Sequence, residues 1–125
     1  MKPGWAGLCL LLATLPVPGG AIAGDHADTE IQHLLQFVAA SDCTFVRNGK
    51  HHDSADAADH LRLKYERGRR YADSAEQFID RLASASSWSG KTYTVSCQGT
   101  IEPSGAWLHR ALLQYRQRVA ERQIR

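Results

Sequence analysis

The stretch "RNGKHHDSADAADHLR", residues 47 to 62, carries three histidines and three aspartates, the residue types that bind divalent metals and move protons. If it forms a helix from Asp53 or Ser54, Asp56 and His60 stand at i and i+4, about 6 Å apart on one face. A carboxylate and an imidazole at that spacing can share a divalent ion. His52 falls on the same side, yet eight residues of regular helix separate it from His60 by about 12 Å. The three meet at one ion only if His51 or His52 folds back from the loop. Two ligands are too few for a closed zinc site. A plainer chemistry is electrostatic: Asp53 or Ser54 caps free N–H groups, while Asp56 and Asp59 favour the positive end of the helix dipole. The helix-start role is the favoured reading, with Asp56 and His60 kept as an alternative metal pair.

A second stretch, "SASSWSGK", offers Ser84, Ser86, Ser87, Ser89 and Lys91. Serine beside a base can act as a nucleophile, so a hydrolase using His60 and a serine of 84–89 is the enzymatic alternative. No strand–turn–helix elbow frames these serines, and a helix end followed by a turn explains them as well. Anion binding is the other possibility: loop N–H groups around Ser89 and Gly90, with Lys91, Arg47 or Lys50, can form a positive concavity. Trp88 lies in this polar loop outside any apolar stripe, as a lid over the core or as an exposed contact residue. The last helix carries Arg110, Arg116, Arg118, Arg122 and Arg125 against Glu121. Cations near a helix C-terminus need no partner, so a solvated face is preferred over a surface for anionic lipid.

Elements must position these residues. Residues 1–23 read as a leader: Lys2, the apolar run "AGLCLLLATL", the breaking "PVPGG", and small residues "AIA" before Gly24. This order predicts a cleavable signal peptide, export, and a single domain over residues 24–125 that is not an integral membrane protein. Cys9, preceded by bulky Leu8, is a poor lipid attachment site. Loss of Lys2 reduces the basic residues from 15 to 14 against 13 acidic ones, a balance that gives no drive toward nucleic acid. Cys43 and Cys97 remain, and an even count in an exported small domain predicts a disulfide.

Helical stripes are expected from about Thr29 to Ser41 (Ile31, Leu34, Leu35, Val38), with Thr29 and Gln32 as a capping box. A second should run from Asp53 or Ser54 to Gly68 (Ala57, Ala58, Leu61, Tyr65), and a third from Asp73 or Ser74 (Phe78, Ile79, Leu82, Ala83). The last should start at Pro103-Ser104 (Trp107, Leu108, Ala111, Leu112, Tyr115, Val119). Strands are expected near 43–47, ending at the Asn48-Gly49 turn, and near 92–97, where Tyr93, Val95 and Cys97 alternate with threonine and serine. Antiparallel pairing of Cys43 with Cys97 sets Phe45 opposite Val95 and Arg47 opposite Tyr93. The predicted fold is α+β: about four helices packed around a two-stranded antiparallel ribbon.

The motifs "FVRNG" (45–49), "HLRLK" (60–64), "SAEQFI" (74–79), "SASSWSGKTYTV" (84–95) and "WLH" (107–109) resemble, in this order, the YfeK-like family of small exported bacterial proteins. The resemblance covers roughly residues 30 to 115. It implies a periplasmic location and an uncharacterised function, without an assigned activity or cofactor, so no catalytic residue is carried over. Matching positions include Arg47, Asn48, Gly49, His60, Arg62, Lys64, Glu76, Ser87, Ser89, Gly90 and Tyr93. Placed on the expected elements, these form a polar cluster between helix and ribbon, with Glu76 as a partner for an arginine. Such a cluster is either a network that fixes the fold or a site for a small anionic or peptidic ligand. The expected function is a non-enzymatic accessory or binding module of the cell envelope. Its surface around Arg47, Ser89 and Lys91 would meet a ligand or envelope protein; metal handling is a further alternative.

Overall fold

The computed structural model describes residues 23–125 and, before them, only Gly4 and Ala13. The leader expectation and Cys9 therefore lie outside the described residues. Helix α1 runs Ala23–Ala40 and starts earlier than the Thr29 boundary expected from its stripe. Ala27, one turn before Ile31, is buried as well, so the apolar face continues upstream. Thr29 is inside the helix and its hydroxyl donates to the Asp25 carbonyl at 3.0 Å instead of capping. Ile31, Leu34, Leu35 and Val38 are all buried, and α1 packs on the second and last helices.

Two hairpins replace the expected two-stranded ribbon. Strands β1 (Thr44–Arg47) and β2 (Lys50–His52) are joined by Asn48-Gly49, and β3 (Thr94–Cys97) and β4 (Thr100–Pro103) by Gln98-Gly99. Both turn residues have positive φ in each loop: 49° and 77° in the first, 50° and 83° in the second. That is the type I′ geometry whose twist matches a hairpin. The four strands form one antiparallel sheet in the order β2-β1-β3-β4. Phe45 faces Val95 and Thr44 faces Ser96, the predicted register. One step further, Cys43 and Cys97 form the disulfide, their Cα atoms 4.8 Å apart. The α+β class holds, with twice the expected strands. The signals missed were short: "KHH" is polar throughout, and "TIEP" ends on a proline that donates no ladder hydrogen bond.

Helix α2 (Ser54–Gly68) begins where expected, with the Asp53 carboxylate accepting from Asp56 N at 2.8 Å. Its buried side is Ala57, Ala58, Leu61 and Tyr65, continued by Gly68. A 3-10 turn (Arg69–Tyr71) follows. Helix α3 makes one α-turn, Ala75–Gln77, capped by Ser74, and widens into a π-helical segment, Phe78–Ala83. Ser84 Oγ donates to the Ile79 carbonyl, five residues back, at 2.6 Å. Helix α4 (Ser104–Ile124) starts directly after β4 and buries Leu108, Ala111 and Leu112. Trp107 is half-buried against Phe37 and Phe45, with ring centroids 4.7 and 5.5 Å away. The core lies between α1, α2, α4, the π segment and the inner face of the sheet.

Candidate functional site

A cleft of about 450 Å³ opens between α2, the first hairpin and the loop after the π segment. Arg47 ends β1, Asn48 occupies the turn, and Lys50 and His52 sit on β2. His60 and Lys64 stand one turn apart on α2. Ser86, Ser87 and Trp88 come from the loop, and Tyr93 precedes β3.

The loop is built by its own hydrogen bonds. Ser86 N donates to Lys91 O and Gly90 N to Ser86 O, both at 2.9 Å. Buried Ser86 Oγ accepts from Trp88 N at 3.3 Å and Ser89 N at 3.2 Å. Asn48 ties the hairpin to this loop: its amide Nδ2 donates to Ser86 Oγ at 3.4 Å, and its Oδ1 accepts from Ser89 Oγ at 2.6 Å. Lys91 N donates to Ser89 Oγ. The N–H groups that the sequence offered as an anion concavity are thus spent within the loop. Positive charge in the cleft comes from side chains instead.

Tyr93 is the hub of the floor. Lys64 Nζ donates to Tyr93 Oη at 3.1 Å and to the Ala85 carbonyl at 3.0 Å. His60 Nε2 lies 3.3 Å from the same hydroxyl. An ammonium can only donate, so Tyr93 accepts from Lys64 and has its own proton free for a neutral His60 Nε2. The electrostatics agree: burial, then the charges of Arg47, Lys64 and His52, push the His60 pKa down to about 4. Burial and the neighbouring Arg47 lower that of Lys64 to about 8. Burial raises the Tyr93 phenol, which Arg47 opposes. Arg47 acts against the charged forms of both His60 and Lys64, and among the described residues no carboxylate lines the cleft to offset it. Among the described residues, Arg47, Lys50 and Lys64 form no ion pair.

Other expected members of the cluster lie elsewhere. Arg62 pairs with Asp59 at 2.9 Å on the surface of α2. Glu76 pairs with Arg116 at 2.5 Å, and Arg116 also holds Glu30 at 2.6 Å, joining α1, α3 and α4. Hydrogen bonding to Arg116 holds the Glu76 carboxyl below its usual range. Ser89 and Lys91 are exposed and do not line the cleft. Trp88 is 94% exposed and so does not serve as a lid over the core.

The histidines are rearranged too. Because β2 folds back on β1, His52 is opposite Phe45 and lines the cleft with His60; the helix-rise separation does not apply. His52, Asp56 and His60 also border a small inner pocket of about 30 Å³, and His52 Nε2 is buried without a hydrogen-bond partner. Even so, no group of three or more metal-ligating side chains is found among the described residues. The hydrogen-bond partner of His60 Nε2 is Tyr93, not a serine; Ser84 Oγ is engaged by Ile79 and Ser89 Oγ by Asn48.

These features define a small α+β domain with a disulfide-tied sheet and a basic, aromatic-rimmed cleft. The chain belongs to the family of unknown function DUF5329, whose pattern matches residues 25–116. It is 43% identical over 88 residues to the Uncharacterized protein YfeK of Salmonella typhimurium, covering 69% of this chain and 73% of that protein. The resemblance read from the motifs is borne out. No solved structure matches. Among the described residues, no helix is long and apolar enough to cross a membrane.

Proposed function

We propose that this protein is a non-enzymatic binding module of the bacterial envelope, exported by the leader of residues 1–23, and that its cleft takes a small anionic ligand. One observation carries the reading: three cations, Arg47, Lys50 and Lys64, converge on a cleft where the described residues supply no carboxylate and no ion-pair partner. A cluster that raises its own electrostatic energy gains most from a bound anion, through charge-assisted hydrogen bonds to Arg47 and Lys64. Asn48 fixes the loop that carries Ser87 and Trp88, so the rim is set before the ligand arrives.

The test is titration with galacturonate and with inorganic phosphate at low ionic strength, where charge contacts are least screened. Tryptophan emission reports, and Trp88→Phe identifies the reporter. Saturable binding is expected, lost in Arg47→Gln and Lys64→Gln and kept in Arg118→Gln on α4. A linear, unsaturable response, or equal binding by all variants, would overturn the assignment.

A further inference from the structure

The cleft does not end at Lys64. A second hollow of about 540 Å³ lies on the other side of this side chain, with Lys64 and Ser87 belonging to both walls. Its far side is formed by Arg67, Tyr71 and Arg81. Arg81 donates to the Tyr71 carbonyl at 3.2 Å, which sets it beside the 3-10 turn. Neither arginine has an ion-pair partner among the described residues, and no carboxylate lines this hollow.

The two hollows share Lys64 and Ser87 as a common wall, and α2 runs along both. His60, Lys64 and Arg67 follow one another at i, i+4 and i+7, a stripe about 10 Å long. This length exceeds a single sugar or amino acid. Composition does not force such a concentration of charge: the chain has 15 basic and 13 acidic residues. Acidic side chains are paired elsewhere, as in Glu30 and Glu76 with Arg116 and Glu102 with Arg110. At the rim stands Trp88, almost wholly exposed. A flat indole face beside cations suits the C–H face of a pyranose ring, which a run of aspartate or glutamate side chains does not offer.

We propose that the two hollows together bind a linear carboxylated glycan as one trough, with successive carboxylates held by the Arg47–Lys64 and Arg67–Arg81 ends and a sugar ring on Trp88. This rests on the anion-binding reading of the first cleft. The test is calorimetry with galacturonic acid oligomers of one and six units. Maltohexaose serves as the uncharged control and hexaglutamate as the peptide of matched charge. The hexamer is expected to bind at least tenfold tighter than the monomer. Arg67→Gln with Arg81→Gln should weaken the hexamer by about tenfold, two exposed charge contacts' worth, and leave the monomer unchanged. Both arginines are exposed, so the double variant is expected to fold, checked by its melting curve. Trp88→Ala should weaken both oligomers. Equal affinity for monomer and hexamer, or a hexamer indifferent to the double variant, overturns the trough while leaving the first cleft standing. Hexaglutamate binding as tightly as the hexamer, or maltohexaose doing so, overturns the ligand class. Binding of neither galacturonate overturns the glycan, and only if inorganic phosphate also fails to bind does the anion reading of the first cleft fall with it.

Discussion

Lys64 is the residue on which the chemistry turns. Its ammonium holds Tyr93 and Ala85 together while bordering both hollows, and burial with Arg47 keeps its pKa near 8. An anion beside it favours the charged form, so binding should raise that pKa and take up protons near pH 8. Affinity is expected to fall as pH rises through 8; the proton uptake is read as a dependence of calorimetric enthalpy on the buffer's ionisation heat. Binding unchanged between pH 7 and 10 would count against Lys64 as a contact. His60 gives a second pH effect, on stability. The unfolded chain protonates this histidine near 6.5 and the folded one only near 4. Between those values the unfolded state binds more protons, so stability falls as pH drops through that window. Urea unfolding of His60→Gln should show a shallower decline than the parent. The i, i+4 spacing of His60 and Lys64 was legible in the sequence. Tyr93 entered the expected cluster through the shared motifs, but its hydroxyl as the joint partner of both was not legible across separations of 33 and 29 residues.

At the scale of elements, the strands that carry the site are positioned by turn chemistry and by a disulfide. The Asn48-Gly49 turn announced itself, since both residues tolerate positive φ. Gln98-Gly99 carried only its glycine, and polar edge strands lack the alternation that marks a half-buried one. The register was legible because the cysteines and the Phe45–Val95 pair require the same alignment. The bond closes a separation of 54 residues, for which the chain-entropy picture gives about 4 kcal/mol. Replacing both cysteines with serine should lower stability by about that amount in urea. A loss below about 1 kcal/mol would contradict the loop-closure account and point to an unfolded chain that is compact without the bond. The π segment was invisible, because its buried positions also suit an α-helix. It meets α4 closely: a Cβ on Gly105 would lie 2.5 Å from Ser84 Oγ, the hydroxyl bound to Ile79. Gly105→Ala should cost about 1–2 kcal/mol, and adding Ser84→Ala should recover part of it. Equal stability of Gly105→Ala and parent would refute this contact.

For the whole molecule, nearly balanced charge conceals a strong separation. On the basic last helix, read from the sequence as a solvated face, Arg110 and Arg116 are held by Glu102, Glu30 and Glu76. Arg47, Lys50 and Lys64, without ion-pair partners among the described residues, stand instead between the first hairpin and α2 with Trp88 at the rim, while Arg118, Arg122 and Arg125 stay unpaired along α4. That separation could not be counted from composition, since it depends on which carboxylates the fold brings to which arginines. The most direct measurement is a ¹H–¹⁵N NMR titration of the chain with galacturonate. The expected result is saturable shifts, described by one dissociation constant, at the Arg47 side-chain N–H, the Asn48 side-chain amide, Ser87 and the Trp88 indole. Shifts confined to Arg118, Arg122 and Arg125 on α4, or scattered without saturation, would contradict an anion-binding cleft.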